Sequence, residues 1–548
     1  MAHNIDTSLP PLTTTPGTKI FGMLPTGAVG WMYHDTAAAG LPIGLPGTAG
    51  ALVGTCPAEK LPPGMTPISG CHDPVGPNKG NYQFSDGSIC VFIPKFFYRI
   101  GHVDSPRYAT YGVNAVDIVG TETFTTRGEA AAAGYALHRA FIDGGVEQVG
   151  FFYDKYQSSK NALGTGWVAS SIKGGLPLSS HSAHNPVGNL TATSGSNING
   201  SFVTAFKARD GVNGAINPAS NWHEASVFQR HAVQLLSMAH AQACTSTANC
   251  AWWNATTNYP KGNNNNALRD TADTTVLYES DGYPNAAKCG TGVPFAKTTH
   301  NGQESGIADL NGNLWDCLLG MTCIAAGKTI TGATQANPCV VTAASHGYTT
   351  GKIVMISGVV GMTQINDKMF AITVIDPNTF SLDGVNATGY TAYASGGSAA
   401  TGTFYVAKES VRMSDFTGGN TLATDHWGAT GVAAMMEPIN FPLVAAPGGT
   451  RVELRYGNGA NQVFSGAVSG DGWLLTCCGI PLATGLSSAG TDLFGEDYFY
   501  QYVRNELCVL AGGGWSHGSR AGAWARHWFH HRTSADVAIG ARAACYPV

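Results

Sequence analysis

The stretch that decides the interpretation lies near the C-terminus and reads Gly512-Gly513-Gly514-Trp515-Ser516-His517-Gly518-Ser519-Arg520-Ala521-Gly522-Ala523-Trp524-Ala525-Arg526-His527-Trp528-Phe529-His530-His531-Arg532. Of the 18 residues from Trp515 to Arg532, 11 are Trp, Phe, His or Arg, and none is acidic. Trp and Arg are enriched at binding hot spots because they combine a large contact area with directional hydrogen-bond donors. The run from His527 to Arg532 follows neither an alternating nor a 3.6-residue period. The composition therefore favours an exposed binding surface over a core helix or strand.

Four further segments with distinctive residues occur along the chain, three before this stretch and one after it. They are Trp222-His223-Glu224-Ala225, Asn258-Tyr259-Pro260-Lys261-Gly262-Asn263, Gly306-Ile307-Ala308-Asp309-Leu310-Asn311-Gly312-Asn313-Leu314-Trp315-Asp316 and Gly540-Ala541-Arg542-Ala543-Ala544. Together with residues 512–519 they resemble the landmarks of the formylglycine-generating-enzyme type of C-type-lectin fold. The resemblance covers residues 80–548 except for an insert. It implies an α+β fold with a C-type-lectin-like domain.

One class within that fold family is enzymatic. The resemblance implies that an oxidase of the formylglycine-generating type would carry a copper-binding cysteine pair close to the segment that matches Ala521 to Trp528. This segment contains no cysteine here, and Cys508 and Cys545 lie outside it. Copper(I) would lack soft thiolate ligands at that place. We therefore expect no enzyme, no catalytic residue and no cofactor, and the metal-dependent oxidase is the alternative hypothesis.

The other class consists of variable proteins of diversity-generating retroelements, including phage tropism determinants, and residues 512–525 resemble their variable segment. This resemblance implies a phage tail-fibre protein of the virion that recognises a bacterial surface receptor, whether protein, pilus or glycan, and it implies a homotrimer. The scaffold positions implied by the resemblance are Gly513, Trp515, Gly518, Ala521, Gly522, Gly540 and Arg542. The expected receptor-binding residues are Ser516, His517, Arg520, Trp524, Arg526, His527, Trp528, His530, His531 and Arg532.

The chain divides into three parts by composition. Residues 1–75 are rich in Pro, Gly, Thr and Ala but carry Trp31 and Tyr33, which favours an arm that packs on phage tail or baseplate proteins over a flexible linker. Residues 76–326 and 403–548 form the discontinuous lectin-like domain. Residues 327–402 contain short β-rich runs between Gly, Asn, Asp and Pro turns, so an inserted all-β module is predicted. This insert resembles an immunoglobulin-like β module found in phage tail proteins.

Three elements of the main domain stand out. The run from Ile89 to Ile100 is dense in β-branched and aromatic residues and predicts a strand or a strand pair, and residues 148–156 predict a second strand. Apolar residues between Trp222 and Ala243 fall near helical spacing, with Asn221 as the expected cap.

Charge and hydropathy exclude several functions. The 548 residues carry a net charge of −5, so the basic footprint of a nucleic-acid-binding protein is missing. Pro and Gly interrupt the longest uncharged stretches, so we expect no membrane insertion. The first 17 residues lack the basic and apolar regions of a secretory signal, so ordinary secretion is not expected.

The cysteines and two other motifs suggest no metal. The 13 cysteines are expected to be mostly reduced and buried, with Cys244–Cys250 and Cys317–Cys323 as possible pairs. The histidines at 527, 530 and 531 have no carboxylate near them before residue 536 to orient their rings. The loop that begins at Asp309 departs from a calcium-binding EF-hand at its sixth and twelfth positions. No metal site is predicted, although calcium elsewhere in a lectin-like loop stays open.

Overall fold

A computed structural model of the chain describes residues 19–23, 29–33, 40–163, 166–187, 198–254, 260–416, 432–446, 452–457, 462–487, 494, 497–532 and 534–548. Strands account for 31% of the residues and helices for 17%. The protein is therefore mostly β-sheet, and the predicted α+β class is wrong. The architecture does not show the expected C-type-lectin fold. The physical reason is that the turn-rich composition supports many short strands and, in the described part of the chain, a single long helix.

The helices are α1 (Tyr108–Tyr111), α2 (Arg127–Ala132), α3 (Ile198–Lys207), α4 (Val227–Ala243), α5 (Val432–Met435) and α6 (Gly470–Cys477). The strands before residue 320 are β1 (Lys19–Met23), β2 (Val29–Tyr33), β3 (Thr66–Pro67), β4 (Asn81–Gln83), β5 (Ile89–Pro94), β6 (Phe96–Ile100), β7 (Val116–Gly120), β8 (Ala136–Leu137), β9 (Ile142–Asp143), β10 (Val146–Glu147), β11 (Gly150–Asp154), β12 (Ser159–Leu163), β13 (Gly166–Ser170), β14 (His223–Glu224) and β15 (Trp315–Leu318). The later strands are β16 (Met321–Thr329), β17 (Gly332–Ala333), β18 (Cys339–Thr342), β19 (Ile353–Val360), β20 (Lys368–Asp376), β21 (Thr379–Leu382), β22 (Ser395–Ala407), β23 (Met436–Ile439), β24 (Val452–Tyr456), β25 (Leu486–Ser487), β26 (Tyr498–Gln501), β27 (Leu507–Ala511), β28 (Arg526–His531), β29 (Ile539–Ala541) and β30 (Ala543–Cys545).

Two sheets combine strands from both sides of the insert. A six-stranded sheet has the order β14-β30-β11-β5-β4-β3, so the C-terminal strand β30 lies between two strands of the first half. A seven-stranded sheet has the order β25-β24-β26-β28-β27-β15-β29. In this second sheet β15, which precedes the insert, pairs with β27 and β29, which follow it. The chain on either side of the insert therefore folds into one body.

The predicted strands and helix are confirmed, with one correction. The apolar run from residue 89 to 100 forms β5 and β6, and the run from 148 to 156 forms β11. Helix α4 is capped by Ser226 and not by Asn221, because the Ser226 hydroxyl accepts from the Gln229 amide while the Gln229 side chain reaches back to the Ser226 amide. This reciprocal capping box satisfies two amides that the helix would otherwise leave unpaired. No helix in the described segments is long and apolar enough to span a membrane.

The segment from residue 40 to 75 packs into the main body. Ile43, Leu52 and Val53 are buried in the core cluster that also contains α4. The Gly54 amide donates to the Phe92 carbonyl on β5. These contacts place the second half of the expected N-terminal arm within the globular body. Of the first half the structure describes the β1–β2 hairpin, and the rest lies outside the described residues.

The insert is a continuation of two neighbouring strands. The long strands β16 and β22 pair antiparallel from Met321 with Val406 to Thr329 with Ser398. Beyond them, residues 327–402 are built from strands and one 3-10 turn around a separate apolar core. The chain leaves the body on β16 and returns to it on the neighbouring strand β22, so the two ends of the module lie side by side.

Candidate functional site

The C-terminal segments and residues 306–316 come together in space. In β15, Cys317 lies opposite Leu510 of β27 on one side and opposite Ala541 of β29 on the other. The Trp315 ring, also in β15, lies 5.1 Å from the His517 ring and 5.4 Å from the His527 ring. The motifs at residues 306–316, 512–519 and 540–544 therefore lie together in space, although the lectin fold that they implied is not shown.

A cleft of about 330 Å³ opens at this place. Its lining residues come from β15, from β28, from the loops on either side of β28 and from the start of β29. They are Trp315, Trp515, Ser516, His517, His527, Phe529, His530, Asp536, Val537, Ala538 and Ile539. The walls are aromatic and imidazole rings, while Ser516 and Asp536 are exposed at the rim. Such a cleft combines flat apolar faces with a few polar groups, which is the usual composition of a ligand-binding site.

The aromatic walls are held by a shell of buried contacts. Trp515 is 6% exposed and packs edge-on to His184, with 5.7 Å between the ring centroids. His184 is itself fixed, because one ring nitrogen lies 2.7 Å from an Asp281 carboxylate oxygen and the other 2.7 Å from the Val537 carbonyl oxygen. The cleft is therefore a preorganised surface whose walls need little ordering when a partner binds.

The ten predicted receptor-binding residues divide into two sets. Ser516 and Arg520 are exposed, and His517, His530 and His531 are half-buried. The others are buried in the fold, and they are Trp524, Arg526, His527, Trp528 and Arg532. These five side chains were expected to be exposed, and that expectation is wrong. Of the five, His527 alone lines the cleft.

The physical reason for this correction is the position of β28. The strand is flanked by β26 and β27 near the middle of the seven-stranded sheet. Both faces of β28 are also covered near its start, because the adjacent residues His527 and Trp528 point to opposite faces and are at most 4% exposed. A strand covered on both faces shows no alternation of polar and apolar residues. Trp528 accordingly packs on Phe499 and Phe441, while Trp524 packs on Phe464 and Phe494.

Arg526 is a buried charge at the base of the site. Its guanidinium donates to the Gln234 side-chain oxygen on α4 and to the Ala525 carbonyl. Burial lowers the pKa of Arg526 to about 10, which still leaves it protonated near neutral pH. Arg526 therefore ties β28 to the central helix and is not available to a receptor.

Two of the scaffold positions implied by the resemblance have a clear structural reason. A Cβ atom added to Gly513 would lie 2.4 Å from the Cβ of Ala521, and the backbone there has a φ of +96°. Arg542 is fully buried and donates through Nε to Asp316, 3.1 Å away. Asp316 also accepts from Arg230 of α4 at 2.6 Å. The two arginines and one aspartate thus connect the helix, β15 and the C-terminal strands.

Asp497 supports the loop that precedes β28. Its Oδ2 atom accepts the Trp524 amide at 2.7 Å, and its Oδ1 atom is buried without a hydrogen-bond partner. A Cβ added to Gly522 would lie 1.7 Å from this Oδ1, so glycine is required where the carboxyl packs against the loop. Burial raises the pKa of Asp497 to about 8. The carboxyl is therefore neutral in the folded protein at pH 7.

This shift predicts how the Asp497→Asn variant responds to pH. The unfolded chain loses the proton near pH 4, whereas the folded chain keeps it up to about pH 8. Unfolding therefore releases a proton in this window, and the Asp497 contribution to stability falls as pH rises. We expect the melting temperature of Asp497→Asn, measured from pH 4 to 9, to fall less with pH than that of the wild type. If the melting temperatures of the two proteins change with pH in parallel, the raised pKa of Asp497 is contradicted.

All 13 cysteines are buried, and no disulfide joins them. Of the two pairs that the spacing suggested, Cys244 and Cys250 do come within 4.8 Å of each other, whereas Cys317 lies beside a different thiol. The Cys317 sulfur lies 3.2 Å from the Cys508 sulfur on the neighbouring strand β27, so its closest thiol in space is not Cys323. Both thiols are at most 1% exposed.

A second cluster of reactive side chains was missed by sequence reasoning. His240, Cys244 and Cys250 offer ligand atoms that all lie within 4.8 Å of one another at the end of α4. A His and a Cys four residues apart on a helix were the available signal, because positions i and i+4 share one helix face. Among the described residues this is the one group of three metal-ligating side chains that meets this distance, so the histidines of β28 do not form such a group.

The loop at Asp309 serves the scaffold. The Asp309 carboxyl is buried and accepts the Gly290 amide at 2.7 Å, while its backbone carbonyl accepts from Arg542 at 3.0 Å. Burial raises the pKa of this carboxyl to about 6. The loop thereby contributes to the packing around the buried arginine.

Comparison with known proteins gives one local match. A family model described as the ubiquitin-activating enzyme E1 FCCH domain matches residues 336–401. No curated protein matches the chain. The matched residues lie within the β module between β16 and β22, so the match concerns the insert and not the cleft.

Proposed function

We propose that the protein is a phage tail-fibre receptor-binding protein that recognises a bacterial cell-surface receptor through the C-terminal cleft. The observation that carries this proposal is the cleft itself, in which Trp315 and Trp515 form fixed walls below an accessible rim with Ser516, His517 and His530. The resemblance of residues 512–525 to the variable segment of phage tropism determinants supports the same function.

The chemistry of the cleft suits a flat polar partner. Indole and imidazole rings stack on sugar rings or on planar groups of a protein epitope, and the rim groups supply hydrogen bonds. Arg520, four residues after Ser516, is exposed and stacks on the Tyr498 ring, with its guanidinium carbon 5.2 Å from the ring centroid. The rim and this exposed arginine therefore offer a cation, a hydroxyl group and imidazoles.

The proposal includes a homotrimer located in the virion. Several identical clefts on one particle raise the effective concentration of each cleft at the cell surface, so weak single contacts add up to firm adsorption. Attachment to phage tail or baseplate proteins is assigned to the residues before position 40, most of which lie outside the described part of the chain.

The first test is adsorption of a rim variant. The four substitutions are Ser516→Ala, His517→Ala, Arg520→Ala and His530→Ala. We expect binding of the purified, fluorescently labelled chain to a panel of bacterial isolates to fall at least about tenfold on the strain that the wild type binds, since hot-spot truncations each cost more than about 1 kcal/mol. Flow cytometry measures binding, and circular dichroism confirms that the melting temperature is unchanged.

The matched control removes four exposed side chains from the inserted module. The substitutions are Lys328→Ala, Lys352→Ala, Val360→Ala and Thr373→Ala, all at exposed positions. This variant should bind the same strain as well as the wild type. Loss of binding in the module variant with full binding of the folded rim variant would move the receptor site to the insert and refute the proposal for the cleft.

A further inference from the structure

The end of helix α4 brings three metal-ligating side chains together. His240 lies in the last turn of α4, Cys244 is the residue that caps the C-terminal end of this helix, and Cys250 comes from the loop that follows. Their ligand atoms lie within 4.8 Å of one another, and His240 and Cys250 are completely buried while Cys244 is 7% exposed. This cluster lies on a different part of the body from the cleft, and the receptor-binding proposal does not use it.

The cluster has the chemistry of a zinc site. Zinc bonds to thiolate sulfur at about 2.3 Å and to imidazole nitrogen at about 2.0–2.1 Å in tetrahedral geometry, so neighbouring ligand atoms stand about 3.5–3.8 Å apart. The three ligand atoms need only small side-chain rotations to reach that spacing from separations of 4.8 Å or less. Two thiolates and one imidazole exclude hard ions such as calcium, which prefer oxygen ligands.

The backbone fixes the positions of the two cysteines. The Cys244 amide donates to the His240 carbonyl at 2.9 Å, which closes the last turn of α4. On the other side, the Cys250 carbonyl accepts the Trp253 amide at 2.9 Å, and the neighbouring Ala251 amide donates to the Gly302 carbonyl at 2.9 Å. The ligands are therefore preorganised by main-chain hydrogen bonds, as precise metal sites require.

The surroundings of His240 also match a metal ligand. One ring nitrogen, Nε2, lies 3.0 Å from the Asn249 carbonyl oxygen, and the other, Nδ1, accepts the Gly47 amide at 2.9 Å. A metal-bound histidine commonly donates its second ring N–H to a backbone carbonyl, which sets the tautomer and the ring orientation. Binding of a metal at Nδ1 would displace the Gly47 contact and keep the contact with Asn249.

We propose that His240, Cys244 and Cys250 bind one zinc ion that fastens the loop after α4 to the end of the helix. The two thiols release their protons when the ion binds. The site joins the end of α4 to the loop at residues 244–254. The three side chains supply three of the four tetrahedral positions, so a water molecule would complete the coordination. The ion would stabilise a part of the body whose described cysteines form no disulfide.

The test uses the full-length chain produced in zinc-supplemented medium and passed through a desalting column. We expect elemental analysis to find one zinc per chain. After removal of zinc by a chelator, titration with cobalt(II) should produce a thiolate-to-cobalt charge-transfer band and the strong visible absorption of tetrahedral cobalt. Addition of zinc should abolish both signals and raise the melting temperature of the metal-free protein.

Three variants assign the signals to the cluster. Cys244→Ser and His240→Gln should each lower zinc content to less than half of the wild-type value, whereas Cys339→Ser, which alters a buried thiol in the inserted module, should leave it unchanged. The cobalt experiment on the wild type needs no variant, so a folding defect in one of them does not hide the result.

Two outcomes would overturn the proposal. The first is wild-type protein that retains no zinc and gives no charge-transfer band with cobalt. The second is a disulfide between Cys244 and Cys250 in the freshly purified chain, detected as a peptide pair that escapes alkylation unless a reductant is added. Adsorption to bacterial cells is a separate readout, so failure of the zinc site and failure of the receptor-binding function are distinguishable.

Discussion

Replacing Asp316 by alanine is expected to lower the free energy of unfolding by about 3–5 kcal/mol, because the change leaves two buried guanidinium groups without their carboxylate. Asp316 is 1% exposed, and its Oδ2 atom accepts from both Arg230 and Arg542. Its Oδ1 atom accepts from the Gln157 side chain at 3.2 Å. The variant therefore removes the side-chain link that joins Arg230 of α4 and Arg542 to β15.

Solvent-exposed ion pairs provide the matched comparison. Glu147 pairs with Lys95 at 3.0 Å, but the Glu147 side chain is 36% exposed. Water and salt weaken such a pair, so Glu147→Ala should cost about 1 kcal/mol or less. Chemical denaturation of both variants measures the two changes. If both variants lose the same free energy of unfolding, the buried ion pairs of Asp316 contribute no more than an exposed pair, and the prediction is wrong.

Motifs from distant parts of the chain meet in the folded protein. Residues 306–316 and 540–544 are more than 200 positions apart, yet Asp316 and Arg542 form a direct ion pair. The expected C-type-lectin fold is nevertheless not shown, because contacts among a few motifs do not determine how many helices the rest of the chain forms.

Exposure was the property that the residue pattern did not predict. The run from His527 to Arg532 mixes polar and aromatic residues, which is typical both of a binding surface and of a strand enclosed on both faces. The deciding factor is that residues far away in the sequence cover both faces of β28, as Trp315 does for His527 and Phe441 does for Trp528. Composition can therefore identify the segment, but not which of its side chains reach the surface.

The helix cap and the cysteine cluster show the same limit at shorter range. Asn221 and Ser226 are both suitable caps, and the choice depends on β14, which occupies residues 223–224 and delays the helix start. Cys244 and Cys250 are close in sequence, but the position of His240 relative to them depends on where α4 ends. In both cases the local sequence identified candidate residues but did not determine which other residues they contact.

Trp528→Ala is expected to lower the free energy of unfolding by about 3–5 kcal/mol, as is usual when a buried tryptophan is truncated. The Trp528 ring is completely buried, packs 4.9 Å from the Phe499 ring, and donates its indole N–H to the Met321 sulfur at 3.3 Å. Neighbouring strands hold the rings around it, so the cavity cannot close by local collapse. Thermal unfolding followed by circular dichroism measures the loss.

Trp167 is the control for this prediction. It lies on the β12–β13 hairpin, is 42% exposed, and stacks below the Lys160 ammonium group at 3.6 Å. Trp167→Ala should therefore change the melting temperature only slightly, since surface truncations usually alter stability by less than about 0.5 kcal/mol.

The two classes of variant separate binding from folding. Trp528→Ala should reduce adsorption only in proportion to the fraction of unfolded chain, whereas the rim variant should reduce adsorption while it stays folded. Trp528→Ala protein that melts at the wild-type temperature but does not bind cells would show that this side chain reaches the receptor, which its burial against Phe441 and Phe499 argues against. The exposed rim residues are thus the ones through which the cleft can contact a partner without rearrangement of the sheet.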